Sequence, residues 1–64
     1  METKDKIWIA SVAIDKNMDF ETLKYSDYMY GKESETDSVY EYVIECREIG
    51  ERAFREKYKE YKLY

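Results

Sequence analysis

The stretch Lys6-Ile7-Trp8-Ile9-Ala10-Ser11-Val12-Ala13-Ile14 decides how this chain is read. It is rich in β-branched residues and apolar on both alternating faces. Ile7, Ile9 and Ala13 lie on one side and Trp8, Ala10, Val12 and Ile14 on the other, which predicts a strand over 6–14 covered on both sides. Before it, Met1 to Asp5 reads as a frayed leader. After it, Asp15-Lys16-Asn17-Met18-Asp19 is a polar turn, expected to be a hairpin connection. Its D-x-N-x-D pattern resembles the start of a calcium-binding EF-hand loop. Phe20 stands where that loop needs glycine and Ser26 where it needs a bidentate glutamate, so no metal is expected here.

Over 20–30, a period of two puts Leu23, Tyr25 and Met29 on one face and Phe20, Thr22, Tyr28 and Tyr30 on the other, favouring a second strand. Asp19 as a cap, with Phe20 and Leu23 on one side, allows a short helix for the first two turns instead. Gly31 ends the segment, and Lys32 to Glu35 is a polar loop.

The remainder carries a sustained helical period, predicting one helix over about 37–62. At 100° per residue, Val39, Val43, Cys46, Gly50, Ala53, Phe54, Lys57 and Tyr61 fall within about 60° of one line. Ser38 with Glu41 reads as a capping box, with Thr36 and Asp37 as alternative caps. Gly50 costs such a helix roughly 1 kcal/mol relative to alanine, so close approach of something at that point is expected. Charge is segregated: from Glu33 to Glu51 there are seven acids and one base, and from Arg52 to Lys62 five bases and two acids. That order suits the helix macrodipole. It also suits two copies crossing antiparallel near Gly50, with Cys46, Gly50, Ala53 and Lys57 as the self-association stripe.

These readings combine into an α+β fold: a two-stranded antiparallel hairpin packed on one long C-terminal helix, ββα, dimeric. Its core is Trp8, Leu23, Val39, Val43, Cys46, Ala53 and Phe54. Sixty-four residues make a single small domain, 1–64, with no proline and no repeat. A chain this short buries only about 60% of its unfolded surface and is marginal without a disulfide, a metal or a partner. Cys46 is the sole cysteine and histidine is absent, so association with a partner is the remaining support.

Fifteen acids against eleven bases give a formal charge of −4, which argues against nonspecific binding to nucleic acid or to an anionic membrane. The longest apolar run, Ile7 to Ile14, is too short to span a bilayer. The first six residues mix signs without a signal-peptide core, and a cytoplasmic protein is expected. No cofactor and no enzymatic activity are expected. There is no histidine, no metal-ligand spacing and no nucleophile beside a base.

Tyrosine is the residue type in excess, at eight positions. Tyr58 and Tyr61 read as area-covering residues. Tyr25, Tyr28, Tyr30, Tyr40 and Tyr42, with the acid-rich run Glu33, Glu35, Asp37, Glu41, Glu45 and Glu48, form the candidate partner-binding surface. The expected function is therefore a small acidic protein-binding module that inhibits or regulates a larger protein, through partial DNA mimicry if its acids enter a basic groove. Size, acidity and lack of catalytic apparatus give it the general look of small phage-encoded proteins that block host enzymes, a likeness of composition and not of motif. Two alternatives are a structural homodimer, and single-stranded nucleic-acid binding with Trp8, Tyr28 and Tyr30 as stacking platforms on the sheet, ringed by Lys4, Lys6, Lys24 and Lys32.

Overall fold

The decisive stretch is a helix. In the computed structural model, which describes residues 1–61, α1 runs Thr3–Asp15 and is followed by α2, Phe20–Lys24, and a 3₁₀ turn at Asp27–Met29. A second 3₁₀ turn, Glu33–Glu35, leads into α3, Thr36–Ile49. Then come α4, Glu51–Lys57, and a last 3₁₀ turn, Lys59–Tyr61. Among the described residues there is no strand, so the hairpin over 6–14 and 20–30 and the ββα class are both overturned.

The physical reason lies in how α1 is covered. Ile7, Ile9, Ala10, Ser11 and Ala13 are all buried, and at 100° per residue these positions span about 200° of the helix. The charged side of such a helix falls at its ends and not within 7–14, so that run of apolar residues imitates a doubly covered strand. The short side chains of Ala10, Ser11 and Ala13 let α3, its main neighbour, approach closely, and the Ser11 hydroxyl donates back to the Trp8 carbonyl at 2.7 Å. Nor is the leader frayed: α1 starts at Thr3, and the Met1 ammonium meets the Glu35 carboxylate at 3.0 Å.

The polar turn joins two helices and not two strands. Asn17 adopts φ 53°. Its N–H donates to the Ile14 carbonyl at 3.1 Å, and the Met18 N–H to that of Ala13 at 2.8 Å. This is a Schellman closure with asparagine in the left-handed position and Met18 tucked into the core beyond it. Asp19 then caps α2, its Oδ1 accepting the Thr22 N–H at 2.8 Å. The short-helix alternative for this segment thus holds over Phe20–Lys24, and the rest of 20–30 is the 3₁₀ turn.

In α3 the expected stripe is present. Thr36, Val39, Val43 and Cys46 are buried at spacings of three and four residues. The helix begins at Thr36 rather than at a Ser38 cap, and the Thr36 hydroxyl donates to the Glu33 carbonyl at 2.7 Å. It does not continue to residue 62. Gly50, at φ 91° and ψ 150°, ends α3 and opens α4, a conformation that suits glycine because it has no Cβ. The bend is large: twelve helical residues would hold Glu45 and Lys57 about 18 Å apart, yet their side chains form an ion pair. Folding back also places Phe54 against Ile7 and Cys46.

Two clusters result. The larger joins Ile9, Ala10, Ala13, Met18, Leu23, Met29, Val39 and Val43; the smaller, under α4, joins Ile7, Cys46 and Phe54. Of the expected core, Leu23, Val39, Val43, Cys46 and Phe54 are buried, whereas Trp8 and Ala53 are exposed. The radius of gyration, 10.7 Å, matches the roughly 11 Å of a compact chain of this length, so the bend closes the molecule on itself.

Leu23 is fully buried and is the anchor of the short α2. Leu23→Ala is expected to cost about 2–5 kcal/mol, comparable with the whole stability of roughly 3–10 kcal/mol for a domain of this size. Urea unfolding followed by circular dichroism should show the midpoint of this variant lowered to about half that of the unmodified chain or below.

Candidate functional site

The structure separates the candidate tyrosines into two kinds. Tyr25 and Tyr30 are 73% and 84% exposed, on the segment between α2 and α3. Tyr28, between them, is half-buried and sets its ring edge-on to Trp8, with centroids 5.9 Å apart. Tyr40 and Tyr42 are half-buried and serve the fold. Tyr40 packs edge-on to Phe20 at 5.4 Å and Tyr42 to Tyr58 at 5.8 Å. Arg47 stacks over the Tyr40 ring. It donates to the Tyr40 hydroxyl at 2.8 Å and to the Met18 carbonyl at 3.0 Å, tying α3 to the α1–α2 turn.

The acidic run divides in the same way. Glu35 is held by the Met1 ammonium, whose hydrogen bond keeps its carboxyl below the ordinary range. Glu45 is engaged by α4. It pairs with Lys57 and accepts the Tyr58 hydroxyl at 2.6 Å, and these hydrogen bonds, that of Lys57 first, lower its pKa. On the other side of this contact Lys57 is raised by Glu45, and Tyr58 is raised by burial and then by Glu45. Glu33, Asp37, Glu41 and Glu48 are exposed and form no ion pair among the described residues. Asp37, Glu41 and Glu48 lie within about 40° of one line along α3, with the exposed Ile44 between them.

The residues of the expected self-association stripe do not share one continuous helix. Cys46 is buried beneath Phe54, Gly50 lies outside either helix, Ala53 is exposed on α4, and Lys57 is committed to Glu45. The straight helix needed for an antiparallel crossing at Gly50 is absent. Acidic and basic halves do meet, within one chain. Burial, then the neighbouring Glu51 carboxylate, pushes the Cys46 thiol up, which disfavours the thiolate.

Around the first turn of α4, Arg55 lies 3.7 Å from Asp15 and also pairs with Glu51. The hydrogen bond of Glu51 to Asp15 raises the Glu51 carboxyl. The D-x-N-x-D residues are thus otherwise engaged, Asp15 beside Arg55, Asn17 in the turn and Asp19 as a cap. No group of three potential metal ligands occurs among the described residues. The stacking platform on a sheet is overturned with the sheet, although Trp8 and Tyr28 do touch.

Sequence reasoning placed Trp8 in the core; the structure leaves it 46% exposed. The signal was present in a helical projection, where Trp8 shares a line with Lys4 and Asp15 to within about 40°, the charged side of α1. Arg47 was also missed, since a lone base among acids carries no mark of the tyrosine and carbonyl it reaches. No helix among the described residues is long and apolar enough to cross a membrane.

The Glu45 contact makes stability depend on pH. Its folded pKa is depressed below the ordinary value of 4.5, so its contribution is present above that value and is lost as pH falls through the folded pKa. Glu45→Gln is expected to flatten the acid limb of a stability–pH profile measured by urea unfolding. An acid limb identical to that of the unmodified chain would show that the contact contributes nothing. No protein-family model matches this chain, and comparison with curated proteins and with solved structures gives no match.

Proposed function

We propose that this chain is a small protein-binding module that acts on a larger protein as an inhibitor or regulator. The observation that carries the reading is the exposure of Trp8, Tyr25 and Tyr30 while Tyr28 braces Trp8 edge-on. Nearly half of the sole tryptophan stays in water. Large aromatics left in water at this density supply contact area at small entropic cost and are the residues on which interface energy concentrates. Lys4, Asp5, Lys24, Asp27 and Lys32, of both signs, border these segments in the sequence. The partner surface that fits is an apolar pocket with a polar rim.

A second reading rests on the α3 line of Asp37, Glu41 and Glu48, which carries no internal counter-charge among the described residues. Those acids face outward at intervals of about 6 and 10 Å along the axis, an arrangement that a basic, nucleic-acid-binding groove would accept.

The two readings separate in one experiment. The tagged chain and two variants, Trp8→Ala with Tyr30→Ala and Asp37→Asn with Glu41→Gln and Glu48→Gln, are used to capture protein from native lysate of the source or its host. Washes at low and high salt precede identification by mass spectrometry. Loss of one stoichiometric partner with the aromatic variant, and its retention in high salt, is the expected outcome. Loss only with the acidic variant, and on washing with salt, supports the groove. Capture of nothing by the unmodified chain, or of the same proteins by all three, removes the proposal.

A further inference from the structure

We propose that α4 is an exchangeable segment: two copies open at Gly50 and each lays its α4 into the other's Ile7–Cys46 groove, forming a domain-swapped dimer. Four observations converge on the hinge. First, the residues of α4 are in phase with α3. Phe54, Lys57 and Tyr61 continue the line through Val39, Val43 and Cys46 across Gly50, so the sequence is suited to a continuous helix although the chain bends. Second, the bend is a single residue at φ 91°, a left-handed conformation in which only glycine is at ease, and short hinges of this kind are where exchange begins.

Third, what α4 covers is distinct from the main core. Ile7, Cys46 and Phe54 form their own cluster, joined to the larger one through the half-buried Ile14 and Tyr42, and α4 packs chiefly on α3, so its departure leaves the buried residues of the larger cluster in place. Fourth, the groove commits to one occupant by charge. Lys57 and the Tyr58 hydroxyl reach Glu45, and Arg55 reaches Asp15. A second copy's α4 carries the same residues and restores every one of these contacts. Exchange therefore costs association entropy and regains the straightening of two hinges. The −4 net charge opposes association weakly and is screened by salt.

Gly50→Ala tests the hinge. Alanine is strained at φ 91° and favours a continuous helix, and a Cβ there meets nothing within 4 Å, so the change acts on the backbone alone. Sedimentation velocity is expected to show a dimer dissociation constant about a hundredfold below that of the unmodified chain, about tenfold for each of two hinges. Inserting two glycines after Gly50 should return the chain to monomer.

Charge exchange identifies the swap itself. Glu45→Lys and Lys57→Glu each place like charges together within one chain. A mixture of the two restores both pairs only if α4 crosses between copies. Native mass spectrometry of the mixture should show heterodimer several-fold above its statistical share.

A folded Gly50→Ala protein that stays monomeric at millimolar concentration overturns the proposal. So does a dimer that survives the glycine insertion unchanged, or a mixture with no heterodimer preference. Should Gly50→Ala fail to fold, the same mixture on the Gly50 background decides.

Discussion

Everything in this fold depends on enclosing α1. In 64 residues there is no second layer to spare; α3 lies along α1 as its main neighbour, and Ile7, Ile9, Ala10 and Ala13 all leave water. Burial of these side chains, at roughly 25 cal/mol per Å² of apolar surface, is the dominant favourable term available to a chain with no disulfide. It explains the small residues along α1, since Ala10, Ser11 and Ala13 let α3 come close.

Electrostatics follow from that geometry. The segregation of acids before Gly50 and bases after it gives the folded-back α4 a matching surface, and Glu45 is where the two halves meet through Lys57 and Tyr58. Such half-exposed pairs are individually weak. Their value is directional, because they act at the side of α4 that faces α3 and α1 and join it to Glu45 and Asp15. The acids of this run that α4 and Met1 do not engage, Glu33, Asp37, Glu41 and Glu48, remain exposed on the surface.

What could be read from the sequence was what had contrast. Val39, Val43 and Cys46 lie on one side of a helix whose other side is charged, so α3 and its buried stripe were legible. Asp19 was legible as a cap because its side-chain chemistry is local. For α1 the enclosing elements are distant in sequence, and a helix buried most of the way round has the same alternating apolar pattern as an inner strand. Gly50 was legible as a disturbance of the helix, but whether glycine serves a close contact or a bend depends on φ, which propensity does not encode. Among the tyrosines, Tyr40 and Tyr42 were drawn inward by Phe20 and Tyr58, while Tyr25, with only the Lys24 ammonium over its ring among the contacts described, and Tyr30 stay exposed.

The exposure of Trp8 has an optical consequence. It is the sole tryptophan, it stands partly in water on a helix whose opposite sides are packed, and its ring touches Tyr28 alone among the aromatic pairs described. Its emission therefore reports the surface, not the interior. The molecule carries its own fluorophore on the edge proposed for partner binding, and a partner docking there as proposed would dehydrate it and change the intrinsic spectrum without any label.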